Sequence, residues 1–87
     1  MRIRDDELLK IKVLIKAYLV THPGRHTAGE IASWINSYDF GIVHGVTATE
    51  IGIIIKNYAS TGFLRCIRGE KRYKRGGRKE YFVEGGQ

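Results

Sequence analysis

Thr27-Ala28-Gly29-Glu30 and Thr47-Ala48-Thr49-Glu50 are the same construction used twice. Each sets a hydroxyl three residues ahead of a carboxylate. The hydroxyl accepts from the glutamate N–H and the carboxylate reaches back to the threonine N–H, so two main-chain donors at a helix start find partners. A chain with two such boxes is committed to two helix starts. Ile31, Ala32 and Ile35 follow the first as an apolar stripe, and Ile51, Ile54, Ile55 and Tyr58 follow the second. Val46, one position before the second cap, is placed to pack on Ile51 as a hydrophobic staple.

The remaining elements are read around these two. Asp5 and Asp6 suit a helix start, and Leu8, Ile11, Ile15, Tyr18 and Leu19 share one face at 100° per residue. That helix should stop at His22-Pro23-Gly24. The second helix should fade near Ser37 to Asp39. The glycine-bounded stretch Phe40 to Gly45 reads as a loop or one brief strand. Gly62 is expected to close the third helix as a left-handed cap. Phe63 to Arg68 and Lys79 to Val83 read as two strands, antiparallel because the link is too short for a crossover helix. Gly76-Gly77 is the expected turn, and residues 84–87 the tail. The order is helix, helix, short extended piece, helix, strand, basic segment, strand. The fold class is therefore α+β, three helices closed by a C-terminal hairpin in a single domain over residues 1–87.

Charge is unevenly placed along this plan. Arg65 to Lys79 holds eight of the fifteen Lys and Arg and one acid, Glu70, so the whole of the net +6 is owed to this segment. A strongly basic chain suggests a polyanionic partner. A single cysteine excludes an internal disulfide framework. Lys10, Lys12 and Lys16 interrupt the most apolar stretch, which argues against a signal peptide or a membrane span. The expected location is cytoplasmic, nucleoid-associated, or nuclear, and not secreted.

Gly45 to Arg65 resembles the winged helix-turn-helix family. The matching positions are Val46, Thr47, Ile51, Ile55, Tyr58, Gly62, Phe63 and Leu64, with Thr27, Ile31, Ala32 and Ile35 in the places of the preceding helix. The resemblance covers about residues 8–83. The link Ser37 to Gly45 is longer than a tight turn, and the outward face of the third helix is unusually apolar. The resemblance implies a small winged helix that binds double-stranded DNA as a transcriptional regulator or chromatin-associated protein. The third helix would lie in the major groove and the basic hairpin, the wing at about 63–83, on the backbone or in the minor groove.

On that reading Thr47, Ala48, Thr49, Gly52, Ile53 and Lys56 face the duplex. Ala48 and Ile53 are placed to touch thymine methyls, and Thr49 a base or a phosphate. No Arg, Asn or Gln is present for bidentate base reading, so weak sequence discrimination is expected. For Ile54 and Ile55 a core position is preferred; for Ile53 core and groove both stand. The wing contributes Arg68, Lys71, Arg72, Tyr73, Lys74, Arg75, Arg78 and Lys79. With about five phosphate contacts, log K should fall against log salt with a slope of roughly −4 to −5. Arg25, His26 and Thr27, at the start of the second helix, are candidate phosphate contacts.

Other chemistries find little support. His22, His26, His44 and Cys66 lack ligand spacing, so no metal is expected, nor any cofactor, small-molecule ligand or catalytic residue. Cys66 is expected as a small buried strand residue. Leu9, Val13 and Val20 form a second apolar strip on the first helix. With Trp34 they are either core or a homodimer surface. An RNA-binding winged helix, a protein-interaction winged helix and an accessory domain of an enzyme remain as alternatives to the DNA reading.

Overall fold

The computed structural model describes residues 5–38, 45–59, 62–73 and 76–83. Among them are three helices and a three-stranded antiparallel sheet. Helix α1 (Asp5–Thr21) carries Asp5, Asp6 and Glu7 in its first turn, where acids complement the helix dipole. It stops where Pro23 cannot continue it and Gly24 turns the chain at φ 101°. Strand β1 (His26–Thr27) leads directly into α2 (Ala28–Asn36), and α3 (Ala48–Tyr58) follows residue 47. A 3-10 turn (Gly62–Leu64) precedes β2 (Ile67–Tyr73) and β3 (Gly76–Val83).

Both capping boxes form. Thr27 Oγ1 accepts from Glu30 N at 3.2 Å while Glu30 Oε1 accepts from Thr27 N at 2.9 Å. The Thr47–Glu50 pair repeats this at 3.1 and 2.9 Å. The core is mostly isoleucine: Ile11 and Ile15 from α1, Ile31 and Ile35 from α2, Ile51 and Ile54 from α3, closed by Leu64 and Ile67. Each such side chain contributes about 1.5–3 kcal/mol on full burial. Val46 is buried in the same cluster as Ile51.

Asn36 ties α2 to α3. Its amide Nδ2 donates to the Val46 carbonyl at 2.7 Å, and its Oδ1 accepts from Val46 N–H at 2.9 Å. The two bonds hold the chain just ahead of the second capping box. Residues 39–44, expected as a loop or brief strand, lie outside the described residues, as does the 84–87 tail.

The sheet runs β1-β3-β2. β1 pairs with β3 through His26↔Tyr81 and Thr27↔Glu80, and β2 with β3 from Ile67↔Val83 to Tyr73↔Gly76. Five points of the sequence reading need correction. Two residues are too short a run to show alternation, so β1 went unread. Phe63 and Leu64 belong to the 3-10 turn, which sinks Leu64 into the core, and β2 starts only at Ile67. Gly76 and Gly77 lie in β3, so the basic segment is mostly strand rather than loop. α3 ends at Tyr58 with Ala59 as its cap, and Gly62, at φ 58°, opens the following turn instead of closing the helix. Cys66 is half-buried in the bend before β2, not on the strand.

Candidate nucleic-acid interface

Alternation decides which side chains of the hairpin face the helices. Ile67 and Tyr81 are buried and Val83 packs against the core, so Gly69, Lys71 and Lys79 share their face. Arg68, Glu70, Glu80 and Phe82 point the other way. On that far side Arg25 bonds Glu70 at 2.7 Å and lies 4.9 Å from the Phe82 ring centroid.

Tyr81 joins the hairpin to α3. Its ring lies over Gly69, where an added Cβ would come within 2.9 Å of Cε1. Its hydroxyl reaches α3, 3.6 Å from where a Cβ on Gly52 would sit. Gly69 thus makes room for the phenol, whose burial pushes its pKa above the usual 10.0. Neither Tyr81 nor Gly69 was singled out from sequence. A Gly and a Tyr that meet across two strands give no local signal.

Two adjoining grooves open around this contact. One, of about 390 Å³, lies between α3 and the hairpin. Ile55, Ile67 and Tyr81 form its floor, and Thr49, Ile53, Lys56 and Lys79 are among its lining. The other, of about 400 Å³, is lined by Ala28 and Gly29 at the start of α2, by Ala48, Thr49 and Gly52 of α3, and by Arg78, Lys79 and Tyr81. Arg78 reaches past the end of β1. Its guanidinium comes within 3.9 Å of where a Cβ on Gly29 would lie. No acid is among the described residues lining either groove. Glu30 and Glu50 are held back in their caps, and Glu70 and Glu80 lie on the far face of the hairpin. Cations and the outward face of α3 therefore share one surface that is free of acids among the described residues.

Most of the α3 set is placed as its spacing suggests. Ala48, Thr49 and Lys56 are exposed, and Ile53 is 40% exposed while Ile54 and Ile55 are buried, which excludes Ile53 from the core. Thr47 is occupied as the cap. Lys79 and Arg78 border the grooves, and Lys71 stands opposite Lys79. Arg68 does not join them: its guanidinium donates to the carbonyls of Arg65 at 2.7 Å and Ile67 at 3.3 Å. Lys74 and Arg75 lie outside the described residues, as do the side chains of Arg72 and Tyr73.

The three residues ahead of α2 have internal partners. Arg25 is bound to Glu70, and Thr27 caps the helix. The His26 Nε2 must carry a proton, because it faces the His22 carbonyl at 2.9 Å. Its Nδ1 lies 3.3 Å from the Tyr18 hydroxyl and 3.5 Å from Glu30 Oε2. What α2 offers the groove is Ala28 and Gly29, whose main-chain N–H groups belong to a helix start.

The apolar strip on α1 is exposed: Leu9 56%, Val13 51% and Val20 43%. Trp34 belongs elsewhere, half-buried with its ring 5.3 Å from Tyr18, 6.0 Å from His22 and 5.7 Å from Tyr38. No group of three or more His, Cys, Asp or Glu among the described residues is placed to hold a metal. No described helix is long and apolar enough to cross a membrane.

No family model, curated protein or solved structure matches the chain.

Proposed function

We propose that the protein is a winged-helix module that binds double-stranded DNA, as a transcriptional regulator or a chromatin-associated protein. α3 would enter the major groove, and the β2–β3 hairpin would lie along the neighbouring backbone or minor groove. One observation carries this reading: the outward face of α3, the start of α2 and the cations of β3 line a continuous surface with no acid among its described residues. A duplex presents closely spaced phosphates beside a groove about 12 Å wide, which an α-helix fills. The element order and the β1-β3-β2 sheet also suit a winged helix. The exposed Leu9, Val13 and Val20 strip is the surface through which two copies would pair.

The test is an electrophoretic shift with random-sequence duplex at several salt concentrations, for the wild type and for Lys56→Ala, Arg78→Ala and Lys79→Ala. Each substitution that removes a phosphate contact should flatten the log K against log salt slope by about 0.9. Three variants with the parent slope, or a wild type without measurable duplex affinity at low salt, would overturn the proposal. Tighter binding to single-stranded or duplex RNA in competition would move the reading to an RNA module.

A further inference from the structure

The DNA-facing side of α3 has a chemistry of its own. Ala48, Thr49, Gly52 and Ile53 form its first turn and a half, and none carries an amide or guanidinium fork. Ala48 ends in a methyl group, Thr49 in a methyl and a hydroxyl, and Ile53 in an exposed branched alkyl chain. Gly52 adds no side chain between them, and the Tyr81 hydroxyl lies nearby, 3.6 Å from where its Cβ would sit. The nearest cations, Lys56, Lys79 and Arg78, border this patch rather than enter it. The result is a small apolar facet framed by phosphate-binding charge.

A helix face of this kind cannot tell bases apart through paired donors and acceptors. The major groove offers it one other handle, the C5-methyl group of thymine, which stands out from an otherwise polar groove floor. Building on the duplex reading above, we propose that α3 selects DNA by its major-groove methyl groups, with Ile53 and Ala48 as the contacting side chains. Discrimination would then follow the methyl itself and not the base pair that bears it. 5-Methylcytosine would be recognised as thymine is, since both place a methyl at C5 in the same groove.

Removing the methyl alone tests this. Two 24-base-pair duplexes of alternating A·T sequence, one with thymine and one with deoxyuridine, keep every hydrogen-bonding group and every phosphate. Two G·C duplexes, one with cytosine and one with 5-methylcytosine, add the methyl to a different base pair. Binding is followed by fluorescence anisotropy at fixed salt. Burial of one methyl is worth about fourfold in affinity, so thymine over deoxyuridine should win by about fourfold or more, and 5-methylcytosine over cytosine likewise. The salt slope should be the same within each pair, because the phosphate contacts are unchanged. Ile53→Ala should bring both ratios toward one.

Equal affinity within each pair would overturn methyl reading and leave duplex binding standing. A thymine preference without a 5-methylcytosine preference would also overturn it, because discrimination would then depend on the base pair that bears the methyl. Ratios that survive in Ile53→Ala would remove Ile53 from the proposal. Failure to bind any of the four duplexes would overturn the DNA reading and this inference with it.

Discussion

Replacing Asn36 with alanine should loosen the joint between α2 and α3. The wild-type amide makes two main-chain hydrogen bonds to Val46, one as donor at 2.7 Å and one as acceptor at 2.9 Å. A net intramolecular hydrogen bond contributes about 0.5–1.5 kcal/mol. Asn36 is exposed at the C-terminal end of α2, so water can replace part of what is lost, and the lower half of that range applies to each bond. The expected loss is about 1–2 kcal/mol. For a domain of this size each kcal/mol shifts Tm by about 4–8 °C, so the melting temperature should fall by roughly 4–16 °C. Asn57→Ala is the control: it makes the same substitution at an exposed position inside α3, where alanine's better helix propensity should leave Tm unchanged or slightly higher. Circular dichroism melts of the three proteins decide the matter. An Asn36→Ala shift of less than about 2 °C, or one no larger than that of Asn57→Ala, would show that the joint is held by the packing of Val46 and not by the amide. Because Val46 precedes the cap of α3, the proposed function adds that the Asn36 variant should bind duplex DNA more weakly than its stability loss alone explains, through a displaced α3.

A methyl group at Gly69 would stand 2.8 Å from Lys79 Cδ and 2.9 Å from the Tyr81 ring. The lysine can swing aside but the packed ring cannot, so Gly69→Ala should cost about 1–3 kcal/mol of overpacking, less about 0.5–1 kcal/mol regained by leaving glycine. A urea midpoint equal to the wild type's would refute the assigned position of Tyr81. The Glu30 carboxyl is held below its usual 4.5, first by the Thr27 main-chain N–H and then by His26 and the Thr27 hydroxyl. A carboxyl depressed by folding stabilises the fold above its unfolded pKa and loses that contribution as pH falls through the folded value. The wild type should therefore lose more stability than Glu30→Gln between pH 5 and about pH 3, and parallel acid titrations of the two would count against it.

The helix starts were legible because they are local. A capping box satisfies its own donors within four residues, so Thr27 and Thr47 announce α2 and α3 whatever surrounds them. The core face of α1 followed from periodicity alone, and so did the outward set on α3. Other features depended on partners distant in the chain. β1 exists only because Tyr81 and Glu80 of β3 lie beside His26 and Thr27. Gly69 matters only beneath the Tyr81 ring. Arg25, basic and near the expected interface, was drawn away from it by an acceptor that folding brought to it, Glu70 across the sheet, whereas Arg68 is engaged locally by the Arg65 and Ile67 carbonyls.

Composition and order along the chain determined that positive charge would gather near the C-terminus and that three helices would precede a hairpin. They left open which side of the hairpin would carry that charge to α3. Strand register decided it. Side chains alternate across a sheet, so a shift of one residue would have turned Lys79 away from the helix and Glu80 toward it. The burial of Ile67 and Tyr81 against the isoleucine core is what holds the register where it is.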